Sequence, residues 1–556
     1  MTVNVRWYGF GFSFLVLAWL LPNHYAPWQS AYQEFLGAIF LWVMCSLVLY
    51  TQVKVSPVIL AFLLLVPIPL FQYWMGVVYF FGDALVSSLY LLGWVAALSA
   101  GYNFFKYPQH QAFIGVFASA FILGSIFSFW VAVRQWLMLS GSIWVADLPS
   151  GGRPFANMGQ PNNLATLLCM GASGVVYFYE KRKINNLSAG VLIVIFLFGV
   201  ALTGSRTPWV AAPAVFFFWY WKSYSFKFRL SPLVLFFWLT VYFAFVVIFP
   251  YLTERLLISD GDFSYRVSSF ERWDIWRQLL HAVWIGPAWG YGWNQVSVAQ
   301  VSVASFYPVL LMVEHSHNIV IDILLWNGPI IGGIIILVLG GWIIFIGLFV
   351  RGIEGVYCLV SSGFLIVHGM LEYPMDYSFF LFPLGLLLGA ASSCCGCKHE
   401  VMVSRGVIVF LIISTFGLMC WLWKEYRVID EDYRLMRFEI AQIGSLKSLD
   451  KSPNVVLLTQ LREFIRFART PATVGMSNDE LGWMQKVAHR YPYQPSLYRY
   501  TLALALNGEF NKAADQLLML RGFYGADAYE DAVISLRKLE VSYPQLHLLT
   551  GRLQVH

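Results

Sequence analysis

The chain has 556 residues, of which 59% are hydrophobic, 18% aromatic and only 12% charged. A composition this apolar excludes an ordinary soluble globule. The formal charge of +6 sits mostly in short loops, so it is a topology signal and not the footprint of a nucleic-acid-binding surface.

Apolar runs of roughly 17–25 residues, long enough to cross a ~30 Å hydrocarbon core as helices, recur from the N-terminus to about residue 424. The first, WYGFGFSFLVLAWLL, resembles a signal peptide. It lacks a small-x-small cleavage site and many spans follow, so a retained helix is expected. The pattern predicts about thirteen spans. They lie near 6–22, 33–51, 55–74, 77–100, 111–139, 161–179, 187–203, 207–221, 231–250, 318–350, 355–371, 377–394 and 405–424, the first part of 318–350 entering obliquely.

With the N-terminus in the cytoplasm, alternate loops hold Lys54; Lys106; Lys181, Arg182 and Lys183; Lys222, Lys227 and Arg229; Arg351; and Lys398 and Arg405. That is nearly every basic residue of the short loops, and the positive-inside bias sets the orientation. The longest connections, about 140–160 and 251–314, then lie outside, as do the turns GSRT (204–207) and LEYPMD (371–376). From about residue 425 the chain becomes charged, soluble and helical, and it is exported. The expected fold is all-α, with a polytopic membrane domain over 1–424 and a soluble domain over 425–556. Within the latter, YQPSLYRYTLALALNGEFNKAADQLLML resembles a tetratricopeptide helix pair. Gly508, Phe510 and Ala513 fall where that repeat needs a tight turn, an aromatic and a small packing residue. Such a tail serves either as a helical cap or as a protein-docking surface.

Candidate chemistry gathers on the exported face. Arg206, in GSRTPW, ends one apolar run and begins the next, so it faces lipid headgroups, a wet cavity or an anion. Arg272 lies in SSFERWDIWRQLLHAVW, an amphipathic stretch whose apolar face is predicted to contain Phe270, Trp273, Trp276, Leu280 and Trp284. Glu271, Arg272 and Gln278 are predicted to lie away from it. Two guanidiniums on one face can clamp a diphosphate through paired, charge-assisted hydrogen bonds without a metal. The carboxylates of SDGDF (Asp260, Asp262) read as a turn. Cys394, Cys395 and Cys397, with His399 nearby, lack the spacing of a metal site and read as free thiols.

At the mouth of a later apolar run stands EHSHN. On a helix Glu314, His317 and Asn318 would share a face, and His315, Asn318 and Asp322 would run down one side. A neutral imidazole oriented by a carboxylate or amide can take a proton from an attacking hydroxyl.

These segments resemble the Wzy/WaaL superfamily of bacterial lipid-linked glycan polymerases and O-antigen ligases. Within it they are most similar to the PglL-type O-oligosaccharyltransferases. The resembling elements are GRPFANMGQPNNLAT (152–166), GSRTPW (204–209), RWDIW…GPAWGYGWNQ (272–295), HSHNIVIDILLWNGPIIGG (315–333) and LEYPMDY (371–377). The resemblance implies a metal-independent, cofactor-free glycosyltransferase of the inner membrane, GT-C-like. It would move a glycan from undecaprenyl diphosphate to a hydroxyl of a periplasmic acceptor protein, with a pilin as a fitting acceptor. It further implies that His317 activates the acceptor and that Arg206 and Arg272 hold the diphosphate. Gln160 and Tyr373 match positions around the site, beside Glu314, His315 and Asn318. Tyr291 and Trp293 in GYGWN add bulk to the usual G-x-G. Two other readings stay open, a ligase or polymerase with a glycolipid acceptor and a transporter of lipid-linked sugars. Against the transporter stand the lack of visible inverted repeats and of mid-membrane charges other than Asp83.

Overall fold

The computed structural model describes residues 3–110, 112–139, 141–149, 152–256, 269–396, 399–443 and 451–553. Helices dominate, as they must where lipid leaves the backbone only itself to bond to. In chain order they begin with α1 (Val5–Leu20), α2 (Ala31–Val48), α3 (Pro57–Ala61), α4 (Ile68–Trp74), α5 (Phe81–Lys106) and α6 (Phe113–Trp136). There follow α7 (Pro161–Glu180), α8 (Asn186–Leu202), α9 (Thr207–Ser223), α10 (Pro232–Arg255), α11 (Ser269–Ile285) and α12 (Val296–Val303). Next come α13 (Ile319–Phe349), α14 (Gly352–Gly369), α15 (Ser378–Ser393) and α16 (Arg405–Ile440). The chain ends in α17 (Thr459–Arg469), α18 (Asn478–Arg490), α19 (Gln494–Leu506), α20 (Phe510–Leu539) and α21 (His547–Thr550). An antiparallel ribbon joins β1 (Val53–Val55) to β2 (Val401–Val403), with Val53 opposite Val403.

Among the described residues, eight helical stretches are long and apolar enough to cross a membrane. Val5–Leu20, Asn186–Leu202 and Ser378–Ser393 are shorter apolar helices. This is the architecture of a polytopic, mostly helical membrane protein. Some runs differ in detail from their sequence pattern. The stretch 55–74 is broken between α3 and α4 by a 3₁₀ turn at Phe62–Leu65 and by Pro67 and Pro69, because proline gives no N–H to a continuing helix. Helix α13 is two helices joined across a kink at Gly328, followed by Pro329. Helix α16 passes without a break through residues 424 and 425. Asp83 lies in the first turn of α5.

The chain divides into two compact units. The first comprises Met1–Val66, Tyr90–Arg266 and Leu339–Cys420. Within it α1 packs on α2 and α6, α7 on α6, α8 and α14, and α14 on α9 and α15. A run of ring contacts binds α1 to α6, with Trp19 against Phe121 (4.9 Å), Phe12 against Phe117 (5.1 Å) and Tyr8 against Phe113 (5.9 Å). Cys394 and Cys395 are half-buried, and each thiol donates to a carbonyl one turn earlier, Ala390 (3.2 Å) and Ala391 (3.5 Å). Cys397 and the SDGDF carboxylates Asp260 and Asp262 lie outside the described residues.

The second unit comprises Pro67–Leu89, Val267–Val338 and Trp421–His556. Its C-terminal helices form around α18, α19 and α20, with α19 packed on both neighbours. Ser477 and Glu480 close a capping box at the start of α18, which fixes where that helix begins. Gly508 turns the chain between α19 and α20 at φ 82°, and Ala513, fully buried, lets the two helices close up. A buried ion pair ties this segment to α5. Arg490 Nε and Nη2 donate to Asp83 Oδ2 (3.0 Å) and Oδ1 (3.1 Å), and Asn294 Nδ2 adds a third bond to Asp83 (2.9 Å).

The same helices give this unit a pH dependence. His489 is buried in α18 with Nε2 3.3 Å from Gln516 Oε1, and burial lowers its pKa to about 4. Between the ordinary value of 6.5 and about 4 the unfolded chain binds a proton that the folded one does not. Stability is therefore lost as pH falls through that window, by up to about 1.4 kcal/mol per pH unit from this residue. Denaturant unfolding followed by tryptophan fluorescence is expected to show a shallower loss between pH 6.5 and 4 in His489→Gln than in the wild type.

Candidate active site

The histidine cluster is a bonded loop. Helix α13 starts only at Ile319, so Glu314, His315, His317 and Asn318 do not share a helical face as their spacing suggested. The reason is local. Asn318 Oδ1 accepts from Val320 N (3.0 Å), which caps α13 and ends its backward growth. Ser316 brackets the next residue, its hydroxyl donating to Asn318 O (2.8 Å) and accepting from Asn318 N (3.2 Å). His317, caught between them, takes a left-handed backbone with φ 57°, which costs a non-glycine residue of order 1–3 kcal/mol. Asp322, buried one turn into α13, accepts from Ser316 N (2.9 Å). Burial lowers the pKa of His315 below its ordinary value, against the opposing pull of the Asp322 and Glu314 carboxylates. Glu314 is exposed, and its Oε1 accepts from the Tyr493 hydroxyl (2.9 Å).

Helix α11 holds this loop from the side. Trp276 Nε1 donates to Ser316 O (2.9 Å). Arg272 is half-buried one turn earlier on α11, so it shares a helix face with Trp276 and lies toward the same loop. The faces of α11 separate as the sequence predicts, and the side packed on protein is the one that carries Gln278. Gln278, expected on the polar side, is buried beside Ile275, Leu279 and Ala282, whereas Trp273, Leu280 and Trp284 are exposed. The physical reason is an amide pair. Gln300 Nε2 donates to Gln278 Oε1 (2.9 Å) and Leu311 O (2.8 Å), and its Oε1 accepts from Val313 N (2.9 Å). The two glutamines thereby hold the chain that leads into Glu314, and exposed tryptophans suit a helix at a membrane–water boundary. The side chains of Phe270 and Glu271 lie outside the described residues.

The GYGWN and WNGP segments pack on each other through glycine. Tyr291 N donates to Leu325 O (2.7 Å), Trp293 Nε1 to Asn327 Oδ1 (3.0 Å), and the Trp293 and Trp326 rings stack at 4.5 Å. The bulk of Trp293 is thus spent on the kink of α13, whereas the Tyr291 hydroxyl reaches the Ala282 carbonyl (3.2 Å) and the Ser302 hydroxyl (2.9 Å). A Cβ at Gly328 would lie 2.0 Å from Ala288 O, and the residue's φ of 75° and ψ of 171° suit glycine alone.

In the first unit three distant motifs meet. Gln160, the residue before α7, donates through Nε2 to the Tyr373 hydroxyl. Asn162 accepts from the Ser205 hydroxyl (2.6 Å) and donates to Glu372 Oε1 (2.8 Å), which joins GQPNN, GSRT and LEYP. Burial raises the pKa of the Tyr373 phenol to about 12, so it stays protonated. Arg206 is half-buried at the head of α9, next to a turn in which Gly204 has φ 58° and its carbonyl accepts from Arg153 Nη1 (3.1 Å). Beside that turn, α7, α8, α9, α10 and α14 line a half-open apolar cavity of about 370 Å³. Its lining includes Pro208, two residues past Arg206, and continues through Val200, Ala212, Phe196 and Ile193 to Gly190 and Leu230. Among the described residues no three His, Cys, Asp or Glu side chains gather as a metal-ion donor set.

The structure therefore groups Gln160, Arg206 and Tyr373 within one unit, and Arg272, Glu314, His315, His317 and Asn318 within the other. Asn162, Glu372 and Ser316 also stand inside the GQPNN, LEYP and EHSHN motifs, and their bonds are what join the site residues. Tyr493 and Gln300 left no local signal, because their partners are distant in sequence.

Comparison with known proteins agrees with these motifs. A family model described as O-Antigen ligase matches residues 191–337, and one described as Virulence factor membrane-bound polymerase, C-terminal, matches 356–537. The chain is 28% identical over 522 residues to a general O-oligosaccharyltransferase of Acinetobacter baylyi, covering 92% of this chain and 91% of that one. It is 25% identical over 521 residues to a ComP-specific O-oligosaccharyltransferase of the same organism, covering 91% and 93%.

The glycine contact at the kink predicts a selective lesion. Gly328→Ala is expected to lower stability by about 1–3 kcal/mol from backbone strain alone, before the collision with Ala288 is counted. Gly333→Ala, five residues on and with open space around its Cβ position, is expected to be neutral or slightly stabilising. Melting temperatures of the two purified variants check this.

Proposed function

We propose that this chain, a member of the O-antigen ligase superfamily and a glycosyltransferase of its O-oligosaccharyltransferase branch, glycosylates proteins. The donor is a glycan on undecaprenyl diphosphate, moved en bloc, and the acceptor is a serine or threonine hydroxyl of an exported protein, a pilin being a fitting example. The observation that carries this reading is the loop geometry, with His317 fixed at a strained backbone and Arg272 one helical turn from the tryptophan that anchors the loop. Near-full-length similarity to enzymes of this kind supports the class of reaction.

In the proposed reaction His317 takes the proton of the acceptor hydroxyl as its oxygen attacks the anomeric carbon. The bond from that carbon to the diphosphate breaks, and the electron pair leaves on a phosphate oxygen. Arg206 and Arg272 are assigned to the diphosphate, where guanidinium forks offset the growing charge without a metal ion. Attack without a covalent enzyme intermediate inverts the anomeric centre. The apolar cavity beside Pro208 suits the first isoprene units of the donor, because it begins two residues from Arg206 and is lined by aliphatic and aromatic side chains. Gln160 and Tyr373, with Glu314, His315 and Asn318, are assigned to the walls of the substrate site.

The proposed topology follows the basic loops, with about thirteen spans, a cytoplasmic N-terminus and the site on the periplasmic side of the inner membrane. The C-terminal helices are then exported too, and as tetratricopeptide-like helix pairs they supply a surface suited to a protein acceptor.

The test is transfer in proteoliposomes from a lipid-linked oligosaccharide, read by intact mass of the acceptor. His317→Ala at equal expression is expected to reduce transfer by roughly 10²–10⁴-fold. Wild-type rates in that variant remove His317 from the mechanism. Transfer to lipid A-core with none to protein assigns the chain to the ligases instead.

The arginines give a second test. Lysine keeps the charge and loses the planar fork, so Arg206→Lys and Arg272→Lys are each expected to bind the donor more weakly and to turn over at least about tenfold more slowly. Full activity in both leaves the arginines as headgroup anchors only.

A further inference from the structure

The turn between α18 and α19 reads Arg490-Tyr491-Pro492-Tyr493, and it is held from several sides. The Arg490 guanidinium pairs with buried Asp83, and the Arg490 carbonyl accepts from the Ser297 hydroxyl (2.8 Å). The Pro492 carbonyl accepts from the Tyr524 hydroxyl of α20 (3.0 Å). The Phe464 ring of α17 meets the rings of Tyr491 (4.9 Å) and Tyr493 (6.0 Å). The body of Tyr493 is thus fixed by the C-terminal helices, while its hydroxyl reaches out to Glu314, the first residue of the histidine loop. Burial holds the Tyr493 phenol above its ordinary range, so it remains the donor in that bond.

We propose that Tyr493 is a positioning residue for glycosyl transfer, holding Glu314 and the loop that carries His317, so that the C-terminal helices complete the acceptor side of the catalytic site. This rests on the reading of His317 as the acceptor-activating residue. The bond involves an exposed carboxylate, so it contributes little to stability. Its effect is geometric. The loop from Glu314 to Asn318 is short and strained at His317, and a displacement of about 1 Å at a catalytic group costs up to about 10²-fold in rate. A partner seated on α18–α20 shares these helices with Tyr493, which gives the acceptor-side domain a direct bond to the catalytic loop.

Tyr493→Phe keeps the ring and its contacts and removes the hydroxyl alone. In the proteoliposome assay its kcat is expected to fall about tenfold or more, with KM for the acceptor and the melting temperature at wild-type values. Glu314→Gln, which retains an oxygen for the phenol, is expected to keep more of kcat than Glu314→Ala. The double variant Tyr493→Phe/Glu314→Ala is expected to be no slower than Glu314→Ala, since both changes remove one bond. Unchanged kcat in Tyr493→Phe, a fall that follows a lowered melting temperature, or multiplicative losses in the double variant would each overturn the positioning role. A wild-type chain that transfers no glycan to protein would overturn the underlying reading instead, whereas an active wild type matched by Tyr493→Phe overturns this inference alone.

Discussion

A polar side chain buried away from water has only the protein to bond to, and leaving it unpaired costs about 1–3 kcal/mol. In a chain this apolar, that constraint decides where the site residues stand. Asn162 is the clearest case in the first unit. One amide satisfies Ser205 and Glu372 together, so the ends of α7, α9 and α14 are brought to a common place. Similar pairs recur along the same helices, Thr166 with His368 (2.9 Å) and Ser173 with Ser361 (2.6 Å). Lys222 obeys the same rule at the far end of α9, donating to the Leu348 carbonyl (3.1 Å). The second unit meets the constraint with charge. A bidentate pair with an added amide, as between Arg490, Asp83 and Asn294, is the form in which a buried ion pair is tolerated.

Three backbone exceptions stand beside candidate site residues. Gly204 turns the chain just before Arg206, Gly328 breaks α13 behind the histidine loop, and His317 itself is left-handed. Two of them are held by side-chain bonds, Gly204 by Arg153 and the backbone around His317 by Ser316. Strain of this kind persists only where the surroundings over-determine it.

Much of this was legible in the sequence, and the failures have physical causes. Long apolar runs located the helices because burial in lipid imposes a length and a composition that few other structures share. Gln160 and Tyr373, chosen from motifs 213 residues apart, are hydrogen-bonded. Arg206 stands at the head of α9, where an abrupt break between two apolar runs put it. What failed was periodicity applied to short segments. EHSHN has helical spacing, but Asn318 and Ser316 satisfy backbone groups locally and stop the helix at Ile319. On α11 the tryptophan face and Gln278 separate as the pattern predicted, but the pattern did not show that the side packed on protein would be the one with Gln278, which is set by its amide pair with Gln300. Hydrophobic pattern carries no information about such long-range polar pairing.

The placement of His317 in a loop and not on a helix changes what can control it. On α13 its orientation would follow the packing of a long apolar helix, and any adjustment would have to move that helix. In the loop it depends on a few side-chain bonds, from Ser316, Trp276 and Asp322, with Glu314 at the open end. Three of those four contacts are buried or half-buried and fix the core of the loop. The fourth is exposed and is made by the C-terminal helices. The fixed contacts preserve one geometry of the loop around His317. The exposed one ties the start of the loop to the turn between α18 and α19.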